Sequence, residues 1–106
     1  MQTPGFTEKE KNDIIDYAIQ AIFNTYHIVA ESNKSRKYIS IMADSILYND
    51  LDIYIKKINN IYYISYDICS FNGYCITEDH FKTNNIDEVY DTIDYIVNTL
   101  RPRPLY

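Results

Sequence analysis

The sequence predicts an α+β domain. Its sheet is an antiparallel four-stranded meander, with three strands as the alternative. An N-terminal and a C-terminal helix pack on one sheet face, in the order αββββα. Three observations carry this. Apolar residues recur at three- and four-residue spacing near both ends of the chain. Between them, apolar and polar residues alternate. Asn59-Asn60 divides two alternating runs, as a two-residue hairpin turn does.

The first helix is predicted over residues 8–31. Thr7 suits its N-cap, and Glu10, three residues on, completes a capping box. Ile15, Ala18, Ile19, Ile22, Tyr26 and Val29 form one apolar stripe, with Asp13, Asp16, Gln20, Asn24 and Glu31 opposite. Residues 32–36 read as a polar exit loop. Residues 37–48 read as the first strand, with Ile39, Ile41, Ala43 and Leu47 on one face. A break at Ala43-Asp44-Ser45 is the alternative, and Tyr48-Asn49-Asp50 is the expected turn.

Around Asn59-Asn60, Leu51, Ile53 and Ile55 share a face with Ile64, Tyr66 and Ile68. Asp52, Tyr54, Lys56, Tyr63, Ser65 and Asp67 take the other. The next turn contains Phe71-Asn72-Gly73. A two-residue turn there pairs Ile68 with Thr77 and turns Ile76 outward. A three-residue loop pairs Ile68 with Ile76 on the core face and sets Cys69 opposite Cys75. The second register is preferred because it buries the apolar residue. The final helix is predicted over residues 86–101, capped by Asn85 with Glu88 at the box position. Its stripe is Ile86, Val89, Ile93, Ile96, Val97 and Leu100, and Pro102 stops it.

The 106 residues fit one domain, read as residues 1–106. At 46% apolar, the chain has the material for an ordinary core. Its 12 Tyr outnumber its 4 Phe, which suits half-buried sheet faces and interfaces. The wealth of Ile, Asn, Lys, Tyr and Asp has the look of an AT-rich genome. The net charge of −5 argues against direct nucleic-acid binding, which relies on neutralising phosphates. Solubility or a basic protein partner explains such acidity better. Residues 2–12 carry no signal pattern and no apolar run is of membrane-spanning length, so a cytoplasmic protein without membrane contact is expected. Two cysteines in that compartment are expected as reduced thiols, with a cross-strand disulfide as the alternative.

No phosphate loop, metal-ligand spacing or redox motif is found, so no cofactor, metal or catalytic residue is expected. His27 falls on the polar side of the first helix. The Glu78-Asp79-His80 segment is the one candidate for acid-base or ligand-binding work, and a polar strand end explains it equally well. Two acidic surfaces are candidates for partner binding. Asp52 and Asp67 face each other across the hairpin, where like charges destabilise; a surface pair screened by Lys56 and solvent is the simpler reading, a basic partner the other. With Tyr54 and Tyr63 they form a patch suited to an Arg- or Lys-rich surface. Asp87, Asp91 and Asp94 form a stripe on the last helix, which amphipathicity alone explains. The tail from Arg101 reads as a frayed terminus or a docking peptide. A homodimer is the alternative to a monomer, formed through the open sheet face and exposed edge strands, with Tyr54, Tyr63 and Phe71 as anchors.

In size, acidity and its acidic-aromatic patch of Asp52, Tyr54, Tyr63 and Asp67, the chain resembles small phage-encoded inhibitors of host defence, anti-CRISPR proteins among them. The resemblance is one of overall character and carries over no functional residue. It implies a non-enzymatic inhibitor that blocks a basic surface on a nucleic-acid-handling host protein, such as a nuclease. A toxin-neutralising immunity protein is the second reading, and a small ligand-binding or enzyme domain the third.

Overall fold

The computed structural model describes residues 5–35, 37–70 and 74–102. The chain runs α1 (Glu8–Tyr26), β1 (Glu31–Lys34), β2 (Tyr38–Ala43), β3 (Asp50–Ile58), β4 (Ile61–Cys69), β5 (Cys75–Thr83), α2 (Ile86–Val97). The sheet is an antiparallel meander in the order β1-β2-β3-β4-β5, and both helices pack on one of its faces. The α+β class holds, but the strands number five rather than four or three.

The extra strand lies in the predicted exit loop. Helix α1 ends five residues early because His27 enters the left-handed region (φ 59°) and its N–H closes on Phe23 O at 2.8 Å. Val29, expected on the helical stripe, is instead 77% exposed. The chain then extends, and Glu31–Lys34 pairs with β2, Ser32 against Ile41 and Lys34 against Ile39.

The N-cap is as expected: Thr7 Oγ1 accepts the Glu10 N–H at 3.0 Å. The reciprocal half of the box is absent. The Glu10 carboxylate instead reaches across to the sheet, accepting from Lys57 Nζ at 2.8 Å and the Tyr62 hydroxyl at 2.5 Å. Lys57 also lies 5.0 Å from the centre of the Tyr62 ring. This network pins the start of α1 to the β3–β4 hairpin.

The expected core face forms. Leu51 pairs with Ile68, Ile53 with Tyr66 and Ile55 with Ile64, and all six are buried. Ile39, Ile41 and Ala43 join them, but Leu47 does not: β2 stops at Ala43, at the alternative break, and Leu47 is exposed. Asp50, assigned to a turn, begins β3. Asn59 and Asn60 both take positive φ (51° and 65°), the geometry of a turn whose twist matches its strands.

Helix α2 is capped by Asn85, whose side chain accepts the Asp87 N–H at 2.8 Å. Glu88 does not close the box; it accepts from the Thr83 hydroxyl, which in turn takes the Asn85 N–H at 3.0 Å. The helix ends at Val97, ahead of Pro102. Leu100 is nonetheless buried. The start of the tail docks rather than frays: Asn49 N–H donates to Arg101 O at 3.0 Å and Tyr48 bridges to Pro102. No helix among the described residues is long and apolar enough to cross a membrane.

Candidate functional site

The helices cover one side of the sheet, and no described element lies over the other. Strict alternation sorts β2–β5 side chains between the two sides, so the open side is read directly from the register. Three of its cross-strand rows span all of β2–β5. The first runs Met42, Asp52, Asp67, Glu78; the second Ser40, Tyr54, Ser65, His80; the third Tyr38, Lys56, Tyr63, Lys82. The face is acidic at one end and basic and aromatic at the other.

Asp52 and Asp67 stand opposite each other, as expected. Partial burial pushes the Asp52 carboxyl up to about 6, helped by the charge of Asp67 and a hydrogen bond between the two carboxyl groups. Burial also raises the Tyr54 hydroxyl, with Asp52 and Asp67 adding to the effect. Among the described residues, no lysine or arginine forms an ion pair with Asp52, Asp67 or Glu78.

Glu78 is the member that sequence reasoning missed. The preferred register paired Ile68 with Ile76, which displaces Glu78 from Asp67. In the structure Cys69 does face Cys75, as expected, but Ile68 faces Thr77. A bulge reconciles the two: one strand carries an extra residue, Ile76, which is 54% exposed. Each turn considered captured part of the pairing, and burial of Ile76 was the wrong criterion for choosing between them. The turn residues Phe71-Asn72-Gly73, with the Phe71 anchor, lie outside the described residues.

Tyr54 sits one row from the acid pair, but Tyr63 sits two rows away, opposite Lys56 and Lys82. Lys82 Nζ lies 5.9 Å from the centre of its ring. The predicted patch is therefore split, with Tyr63 belonging to the cationic end. There Tyr38, Tyr54, Lys56, Tyr63 and His80 line a shallow depression of about 370 Å³.

The remaining candidates do not converge on a reactive centre. Glu78 and His80 face the open side, while Asp79 faces Tyr66 on the helical side. The Asp79 carboxylate accepts the His80 backbone N–H at 2.8 Å, so its contact is with the main chain. His27 is the exposed C-cap of α1, its ring edge-on to Phe23. Cys69 and Cys75 are unlinked thiols. A hydrogen bond with Cys75 pushes the Cys69 thiol up to about 12, and burial and the Asp67 charge add to this, so it stays protonated. Among the described residues, no group of three or more His, Cys, Asp or Glu side chains is placed to hold a metal.

On α2, Asp87 and Asp91 are exposed, but Asp94 is engaged. The Tyr17 hydroxyl lies 2.8 Å from both of its carboxylate oxygens, and the Tyr17 and Tyr90 rings meet edge-on at 4.8 Å. Asp94 thus helps join the two helices, and the stripe is not one continuous free surface. Comparison with known family models, curated proteins and solved structures finds no match for the chain.

Proposed function

We propose that the protein is a non-enzymatic binding module whose open sheet face docks, through its acidic end, onto a basic surface of a nucleic-acid-handling protein. A phage or mobile-element inhibitor that denies a host nuclease its substrate is the role this fits. The reading rests on one observation: Asp52, Asp67 and Glu78 form a row on an uncovered face, and among the described residues no lysine or arginine forms an ion pair with them. Like charges held side by side cost the free protein stability. An arginine- or lysine-rich surface relieves that cost on binding and is steered towards the row before contact. Tyr54, in the next row, supplies a ring on which a guanidinium can stack.

The test is a paired pull-down from host lysate, with the native chain and the Asp52→Asn/Asp67→Asn variant as baits. The native chain is expected to recover a nucleic-acid-handling protein with a basic groove. The variant should bind it at least about tenfold more weakly, since desolvated charge pairs contribute more than exposed ones. A partner held equally by both baits would falsify the reading, as would failure of the native chain to retain any such protein.

A further inference from the structure

We propose that β5 is a self-pairing edge through which two copies of the chain join their sheets, with the two-fold axis at His80. The contact uses the edge of the sheet; it engages Glu78 but leaves Asp52 and Asp67 uncovered, so it goes beyond the docking reading and does not depend on it.

Among the described residues, strand β5 ends the sheet and pairs only with β4. Its nine residues extend for about 30 Å. Natural edge strands of that length are commonly blunted by proline, a covering element, a bulge or charged side chains. Strand β5 carries the last, Glu78, Asp79 and Lys82, which oppose any partner that does not match their order. The segment Cys75–Thr83 contains no proline or glycine, and its bulge lies at the start, leaving the run from Thr77 to Thr83 in regular register. The opposite edge strand, β1, has four residues and is protected by shortness. At the middle of β5, the His80 N–H donates to the neighbouring Asp79 carboxylate at 2.8 Å, a contact that the carbonyl of a second copy's strand would replace.

The order of charges along β5 selects the partner. A two-fold axis normal to the sheet keeps the helices of both copies on one side and sets residues whose numbers share a common sum opposite each other. With the axis at His80, Glu78 faces Lys82 of the second copy and Lys82 faces its Glu78, all on the open side. Thr77 faces Thr83 and Asp79 faces Phe81. Moving the axis to Asp79 or Glu78 puts identical acids face to face, and moving it to Lys82 opposes two lysines. An axis at Phe81 sets Lys82 against His80. The His80 register is thus the one with opposite charges across the junction, where cross-strand pairs stabilise. It also runs the acidic row of each copy into the Tyr38–Lys56–Tyr63–Lys82 row of the other. The occupant it fits is a second copy of this chain.

Charge reversal tests this. Sedimentation equilibrium at low salt would follow the native chain, Glu78→Lys, Lys82→Glu and the double reversal, up to concentrations on the order of 100 µM, because an edge contact is small in area. The native chain should form a dimer. Each single reversal should weaken association at least about tenfold by opposing like charges, and the double reversal should restore it. Circular dichroism reports the fold of each variant, and Glu78→Gln and Lys82→Gln replace any reversal that does not fold. A native chain monomeric throughout, a dimer indifferent to both single reversals, or a double reversal no better than the singles would each overturn the proposal.

Discussion

Asp52 connects a single residue to pH-dependent stability. Its carboxyl is raised to about 6 by burial and by Asp67, above the ordinary 3.8. The folded state therefore holds this proton more tightly than the unfolded chain. The stability it contributes is fully present below pH 3.8 and is lost as pH rises through about 6. Asp52→Asn removes the ionisation. The variant should thus gain on the native chain as pH rises from 4 to 6.5, by about 1 kcal/mol once solvent screening of a half-exposed group is allowed for. Urea midpoints of both proteins across that range check this. A constant difference between them would show that the Asp52 proton is not linked to folding. The facing of Asp52 and Asp67 was legible in the sequence because alternation and the Asn59-Asn60 turn together fix the hairpin register. Glu78 is placed opposite Asp67 by the two-residue turn but not by the preferred loop, because the bulge that lets both pairings coexist is announced by no local pattern.

Among the elements, those with an apolar period were legible and those held by the main chain or by long side chains were not. The β3–β4 hairpin and the α2 stripe follow from where isoleucine recurs; the α1 stripe does so in part, since the fully buried Ile14 falls outside the predicted stripe and Val29 is exposed. Strand β1 has the sequence Glu-Ser-Asn-Lys, entirely exposed, with no apolar residue to mark a face. Its pairing follows from the early turn at His27 and the free edge of β2. Glu10 shows the same limit, since its spacing from Thr7 fits a capping box while its carboxylate is drawn to Lys57 and Tyr62, distant in sequence. That network gives a ranking. Glu10→Ala leaves the shielded Lys57 and Tyr62 polar groups without their acceptor and should cost about 2–3 kcal/mol. Thr7→Ala loses one capping bond and should cost about 1 kcal/mol. Equilibrium urea unfolding measures both, and a greater loss in the Thr7 variant would show that the network contributes little to anchoring α1.

For the whole molecule, the fold gives its two acidic surfaces different roles. The helices bury one side of the sheet and are themselves joined by Tyr17, Tyr90 and Asp94, so part of the α2 stripe serves the packing between helices. The Asp52–Asp67–Glu78 row packs against no helix. Its like charges work against the free fold, while the α2 stripe works for it. Two variants should therefore separate stability from binding in opposite senses. Replacing Asp87, Asp91 and Asp94 by Asn weakens the Tyr17 contact to a neutral hydrogen bond and removes Asp87 from the positive end of the helix dipole. Stability should fall by about 1 kcal/mol, while affinity for the captured partner changes less than about threefold, an exposed rim charge contributing little. Asp52→Asn with Asp67→Asn should leave stability equal or higher. It should also weaken binding at least about tenfold and flatten its salt dependence, because the charges that salt screens are gone. Calorimetric titration of the partner at two salt concentrations, alongside thermal unfolding of each variant, reads both quantities. If the helix variant loses binding while the sheet variant keeps it, the docking surface lies on α2, and the acidic row on the sheet is a solvated face.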